Sequence, residues 1–159
     1  MMWRYLWIAL VVIALDQLTK YAAADYLLHH GELELVPFLN LALVHNTGAA
    51  FGMLSQASGW QNVFFIVVAL IACVAILWIA WRLERKDLLL VSGLMLVLGG
   101  AAGNLIDRLV HGYVIDFIDV YYRDWHWPAF NIADSAITIG AVILAIDALN
   151  LGARRTREL

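Results

Sequence analysis

The chain has 159 residues, 64% of them hydrophobic and only 14% charged, with a net charge of −3 and a mean hydropathy of +0.79. Soluble domains sit near ~45–50% apolar and ~25% charged, and a chain this short has too much surface to hide the excess in a water-facing fold. The weak negative charge, with no basic stripe and no zinc-finger spacing, argues against nucleic acid as a partner. The single cysteine, Cys73, lies in an apolar run without a polar neighbour at helical spacing, so it forms no internal disulfide and reads as a packing residue.

Four apolar stretches predict four membrane-spanning helices, at about 5–24, 60–81, 88–106 and 129–151, within a single integral membrane domain. Each is long enough, at ~1.5 Å per residue, to cross a hydrocarbon core of ~30 Å. Seven of the ten basic residues (Arg4, Arg82, Arg85, Lys86, Arg154, Arg155 and Arg157) fall on one side of the spans. The expectation is therefore that both termini and the central link are cytoplasmic. Trp3, Tyr5, Trp60, Trp78, Trp81, Trp125 and Trp127 lie at the edges, where aromatic side chains anchor a span to the interface. The first span imitates a cleaved signal peptide through Arg4 and Ala22-Ala23-Ala24, but Asp16 and Lys20 interrupt its end.

The first outer link, about 25–59, is too long for a turn. Glu32-Leu33-Glu34-Leu35 alternates and Phe38 to Val44 is β-prone, which predicts one or two strands with Pro37 at a bend or edge. Open sheet edges are excluded from lipid, so this sheet is expected on the membrane surface. The stretch His45 to Gly52, with Asn46 and Gly48, has the small residues that permit tight turns or close approach of a ligand. The second outer link, about 107–128, contains a predicted strand over Tyr113 to Tyr122, on which Asp116 and Asp119 point to opposite faces. Pro128 suits the start of the fourth span. In the third span Gly99 and Gly103 share a face, favouring close helix approach over a phosphate loop.

Chemistry gathers between Gly99 and Asp134. Carboxylates near hydrocarbon are costly and mark functional sites. Asn131, Asp134 and Thr138 share one helical face and predict a polar stripe facing the bundle interior. Asp147, roughly 20 Å deeper and on a different face, reads as a cytoplasmic interface residue. Asp16 and Lys20, four apart, read either as a structural ion pair or as support for substrate positioning. Asn104 and Arg108 are also four apart, and Arg108 suits either substrate contact or a buried hydrogen-bonding hub. Two carboxylates brought within a few ångströms share one proton. The ionised member then takes a proton from water while the other polarises a peptide carbonyl. Asp116 and Asp134 are the candidates; a solvated loop acid and a helix-packing acid are the plain alternative. No metal or cofactor is needed.

The rival function is a small proton-coupled membrane transporter, which four spans with intramembrane acids also fit. It predicts a polar path to the cytoplasmic side, through Asp147. A purely structural subunit would not need so many polar groups at one level.

Five fragments in order resemble the bacterial lipoprotein signal peptidases (type II signal peptidases): Asp16-Gln17-Leu18-Thr19-Lys20, Asn46 to Gly52, Gly99 to Arg108, Gly112 to Phe117, and Phe130 to Ser135. The resemblance covers nearly the whole chain. It implies a mainly α membrane protein: a bundle of four transmembrane helices with a small periplasmic β-sheet on the membrane surface and a mobile outer segment. The implied activity is that of an aspartic endopeptidase of the inner membrane. It removes the signal peptide from prolipoproteins by cutting just before the diacylglyceryl-modified cysteine. Asp116 and Asp134 would be catalytic. Asn46, Gly48, Asn104, Arg108 and Asn131 would form the polar shell, supported by Asp16 and Lys20. Implied partners are diacylglyceryl prolipoproteins, membrane lipid and globomycin-type inhibitors; a monomer would suffice. The segments Ala24 to His30 and Tyr121 to Trp127 are candidate gates.

Overall fold

A computed structural model describes residues 4–48, 60–83 and 88–155, with 150–155 as backbone only. Expectations that concern Trp3, the stretch Ala49 to Gly52, Arg85, Lys86 and Arg157 lie outside the described residues.

Among the described residues, four helices are long and apolar enough to span a membrane: α1 (Leu6–His30), α2 (Trp60–Arg82), α3 (Leu88–Val110) and α4 (Ile132–Arg155). Helix α1 runs six residues past its expected end. The polar residues after Ala24 stop the hydropathy but not the helix, which closes where Gly31 adopts φ 77° and donates to Leu27 O. Leu27, on this extension, packs with Ala23 and Phe117 beneath the sheet. The segment Ala24 to His30 is therefore helix, and the reading of it as a gating loop is corrected. Helix α3 continues to Val110 rather than Ile106, because its polar residues stay helical, and Gly112 at φ 83° follows its end. Helix α4 begins three residues later than expected. Phe130, just upstream, pairs with Ile118, so the chain is extended there.

Between α1 and α2, and between α3 and α4, lie the strands β1 (Leu33–Val36), β2 (Leu39–Asn46), β3 (Val114–Tyr122) and β4 (Trp125–His126). They form one antiparallel sheet in that order. Pro37 and Phe38 make the first hairpin's turn, with Phe38 at φ 78°. A bulge in β2 between Leu41 and Val44 resets the register, so that Val44 stands opposite Asp116. The candidate gate Tyr121 to Trp127 is a paired hairpin: Tyr121 opposes His126, and Tyr122 opposes Trp125.

Helix α3 is the centre of the bundle, and its glycines explain how. A Cβ on Gly99 would lie 2.7 Å from Val12 Cβ and 2.9 Å from Ala9 O of α1. A Cβ on Gly100 would collide with Ala133 O of α4. The expected close approach is thus made on two faces of α3 at once, and Met95, wholly buried, fills the core below. Helix α2 exposes Val63, Val67, Ile71 and Val74, a surface suited to lipid.

Candidate active site

The site lies where the upper ends of α1, α3 and α4 meet the start of β3 and the end of β2. Its placement begins with a helix cap. Asn131 precedes the first turn of α4, and its side-chain oxygen accepts the Asp134 N–H at 2.9 Å. Asp134 Oδ2 returns the favour to the Asn131 N–H at 3.3 Å. This reciprocal arrangement satisfies N–H groups that a helix start leaves without partners. Asp16 Oδ1 takes another, from Ala133, at 2.9 Å.

With its oxygen committed, the Asn131 amide must turn its N–H₂ the other way. It donates to Asp116 Oδ1 at 2.7 Å, to Asn104 Oδ1 at 3.2 Å and to Ile115 O at 3.3 Å. Asn104 is oriented by the same logic. Its oxygen accepts from Lys20 Nζ at 2.9 Å, so its N–H₂ faces Asp134 Oδ1 at 2.8 Å. On the far side, Asn46 donates to Asp116 Oδ2 at 2.9 Å while its own oxygen accepts the Gly48 N–H. Each of the two carboxylates therefore receives an amide N–H from a side chain whose orientation a second contact fixes.

Asp116 is 1% exposed. Burial, reinforced by the nearby charge of Asp134, pushes its pKa up to about 7; the hydrogen bonds from Asn46 and Asn131, and the charge of Lys20, act in the opposite direction. Arg108 lies alongside, within electrostatic reach of Asp134, Asp116 and Asp107. It donates to Gly48 O at 3.3 Å and Asn104 O at 3.4 Å, and its guanidinium sits 5.0 Å from the centre of the Phe65 ring. In this structure its hydrogen bonds are those of a hub tying α3 to the chain after β2.

Beneath this layer Asp16 and Lys20 do pair, at 2.8 Å. Lys20 also meets Asp107 Oδ2 at 2.9 Å, and Gln17 donates to Asp107 Oδ1 at 2.8 Å. Sequence reasoning singled out neither Gln17 nor Asp107. The signal was available, because Asp107 lies three residues from Asn104 and shares its helical face. Gly103 belongs here too: a Cβ on it would stand 2.6 Å from Asp16 Oδ2.

Other expectations fare differently. Thr138 does not extend the polar stripe inward: it is exposed, and its hydroxyl donates to Asp134 O at 2.9 Å. Asp119 faces other neighbours than Asp116, namely His126 at 2.9 Å and Asn40 at 3.5 Å. Among the described residues Asp147 takes part in no hydrogen bond or ion pair, and no group of three or more His, Cys, Asp or Glu is arranged to hold a metal ion.

A sequence model of the family described as Signal peptidase (SPase) II matches residues 8–150. The lipoprotein signal peptidase of Alteromonas mediterranea is 47% identical over 155 residues, 98% of this chain and 85% of its own length. That of Acinetobacter baumannii is 49% identical over 157 residues, covering 96% of this chain and 88% of its own. Two solved structures of bacterial membrane enzymes superpose with TM-scores of 0.80 and 0.78, at 35% and 33% identity. Each match covers 92% of this chain, and 92% and 88% of theirs.

Proposed function

The chain belongs to the signal peptidase II family, and on that premise we propose that Asp116 and Asp134 are the catalytic dyad by which it cuts prolipoproteins. The activity is that of an aspartic endopeptidase of the inner membrane that removes signal peptides from prolipoproteins. The matched relatives are signal peptidases, which leaves the transporter alternative without support.

What carries the dyad reading is the pair of oriented amides: Asn131 aimed at Asp116 and Asn104 aimed at Asp134, in a layer where Asp116 holds a proton near neutral pH. Two acids that feel each other's charge in this way would hold one proton between them. The ionised carboxylate takes a proton from water, whose oxygen attacks the carbonyl carbon of the residue before the lipidated cysteine. The protonated carboxylate donates to the carbonyl oxygen, so no oxyanion builds up. Collapse of the resulting diol breaks the C–N bond, and the proton goes to the departing amine of the cysteine. Arg108, Asn46 and the Gly48 backbone would hold the peptide against the dyad.

The substrate cysteine carries diacylglycerol, which keeps the scissile bond at membrane depth. Buried polar groups at the sheet-proximal end of apolar helices suit such a substrate. The excess of Lys and Arg on the other side of the spans supports cytoplasmic termini and a periplasmic site. A globomycin-type cyclic peptide would compete for the same position. In cells lacking their own signal peptidase II, the wild-type chain is expected to clear accumulated diacylglyceryl prolipoprotein. Asp116→Asn and Asp134→Asn, present at equal levels in the membrane, should leave it uncut; processing by either variant would exclude the dyad.

A further inference from the structure

The dyad chemistry leaves two fully buried carboxylates unused, Asp16 and Asp107. Asp107 is 1% exposed and lies on α3 between Asn104, which donates to Asp134, and Arg108. Its Oδ2 accepts from Lys20 Nζ at 2.9 Å and from the Ile115 N–H at 3.0 Å, while Oδ1 accepts from Gln17 at 2.8 Å. Ile115 is the residue immediately before Asp116. Asp107 thus fixes the backbone that delivers Asp116 and also holds the ammonium that orients Asn104.

Charge bookkeeping gives this position a second consequence. Lys20 spends its three N–H donors on Asp16, Asp107 and Asn104. One ammonium between two carboxylates leaves the trio with a net charge of −1, buried beneath the dyad. A charge in such surroundings acts over a longer range than in water. Among the described residues, the other charged groups that act on Asp116 are Asp134 from α4 and Arg108 from α3, and β2 contributes the neutral Asn46.

We propose that Asp107 is a positioning residue of the peptidase, which seats β3 for Asp116 and, by supplying the surplus negative charge of the Lys20 cluster, sets the pH at which the dyad gives up its proton. The proposal rests on the dyad reading above. Without the Asp107 charge the trio goes from −1 to neutral, the field at Asp116 becomes more positive, and its proton leaves at lower pH. Removal of the Lys20 charge has the reverse effect, since two uncompensated carboxylates then face the dyad. The favourable effect of Lys20 on the Asp116 carboxylate agrees in sign. A role confined to holding the fold predicts loss of folded enzyme and no displacement of the pH profile.

The test is the pH dependence of kcat and KM for full-length enzyme in detergent, with a diacylglyceryl prolipoprotein as substrate. Asp107→Asn is expected to move the alkaline limb of the kcat profile down by about half to one pH unit. It should also lower kcat at the optimum more than it raises KM. Asp107→Glu, which keeps the charge, should bring the limb back toward its wild-type position. Lys20→Gln should move it up. If Asp107→Asn does not fold, Asp16→Asn removes the other carboxylate on Lys20 and is read by the same downward shift. A folded Asp107→Asn or Asp16→Asn enzyme with a wild-type limb overturns the proposal. Asp116→Asn and Asp134→Asn run beside them separate the two failures. If those are folded and silent while the limb stays put, the dyad stands and the Asp107 proposal falls; if either is active, the dyad itself is wrong.

Discussion

Asn131 donates its side-chain N–H to Asp116 Oδ1 at 2.7 Å while its oxygen caps the Asp134 N–H. One side chain therefore ties the strand-borne carboxylate to the helix that bears the other. Ser caps a helix about as well as Asn but lacks the amide reach. In Asn131→Ser the cap survives and the donor to Asp116 is lost. The expected outcome is a fall in kcat of about 10²-fold, in line with a misplaced reacting group. Stability should drop by about 1–3 kcal/mol for the unpaired buried acceptors. Steady-state kinetics and thermal melts in detergent read the two separately.

The raised pKa of Asp116 carries a definite sign. Its proton is held up to about pH 7 in the folded protein, against 3.8 ordinarily. Between those values the folded state binds more protons than the unfolded one, so this group's contribution to stability is full below the ordinary value and declines as pH rises toward 7. The difference in melting temperature between wild type and Asp116→Asn should accordingly shift in favour of the Asn variant as pH rises from 4 to 7. Activity should lose its alkaline limb near the upper value. Asn46→Ala removes a hydrogen bond that favours the ionised form, so its alkaline limb should move to higher pH, opposite to Asp107→Asn.

Gly103 leaves room for a carboxylate. Alanine there would put a Cβ 2.6 Å from Asp16 Oδ2, and Asp16 is fully buried against Lys20 and Ala133. Gly103→Ala is expected to destabilise by about 1–3 kcal/mol, as over-packing does. Melts of Gly103→Ala and wild type in the same detergent check it. Gly112→Ala meets no neighbour but sits at φ 83°, so its cost should be the smaller, about 1 kcal/mol.

Sidedness has a direct readout. Asp124 lies in the turn between β3 and β4, on the proposed periplasmic side, whereas Arg82 ends α2 on the proposed cytoplasmic side. A membrane-impermeant maleimide added to intact spheroplasts should label Asp124→Cys and spare Arg82→Cys. The reverse pattern would invert the topology.

Much of this arrangement was legible in the sequence, for identifiable reasons. Helix α2 was plain because nothing interrupts its apolar run, and β1 to β3 were plain because alternation and β-branched residues mark them. The ends of α1, α3 and α4 were not, because hydropathy reports where lipid stops, whereas caps such as Gly31 and Asn131 decide where helices stop. Asp116, Asp134, Asn104 and Asn131 stood out as polar groups in apolar surroundings, and the structure brings them together. Asp107 was passed over although its spacing from Asn104 put it on the same helical face, and Gln17 because the Asp107 carboxylate it meets lies 90 residues away on another helix. Thr138 shows the converse error: helical periodicity put it on the Asp134 face, but its hydroxyl is spent on the preceding turn.

The central claim is that Asp116 and Asp134 together cut the peptide bond. The most direct measurement is cleavage of a purified diacylglyceryl prolipoprotein by purified enzyme in detergent, with wild type, Asp116→Asn and Asp134→Asn matched for folding by melting temperature and gel filtration. The account predicts a cut just before the lipidated cysteine by the wild type and a loss of about 10⁴-fold or more in each variant, as expected when a group that acts as part of a catalytic unit is removed. Near-wild-type cleavage by either folded variant would contradict it.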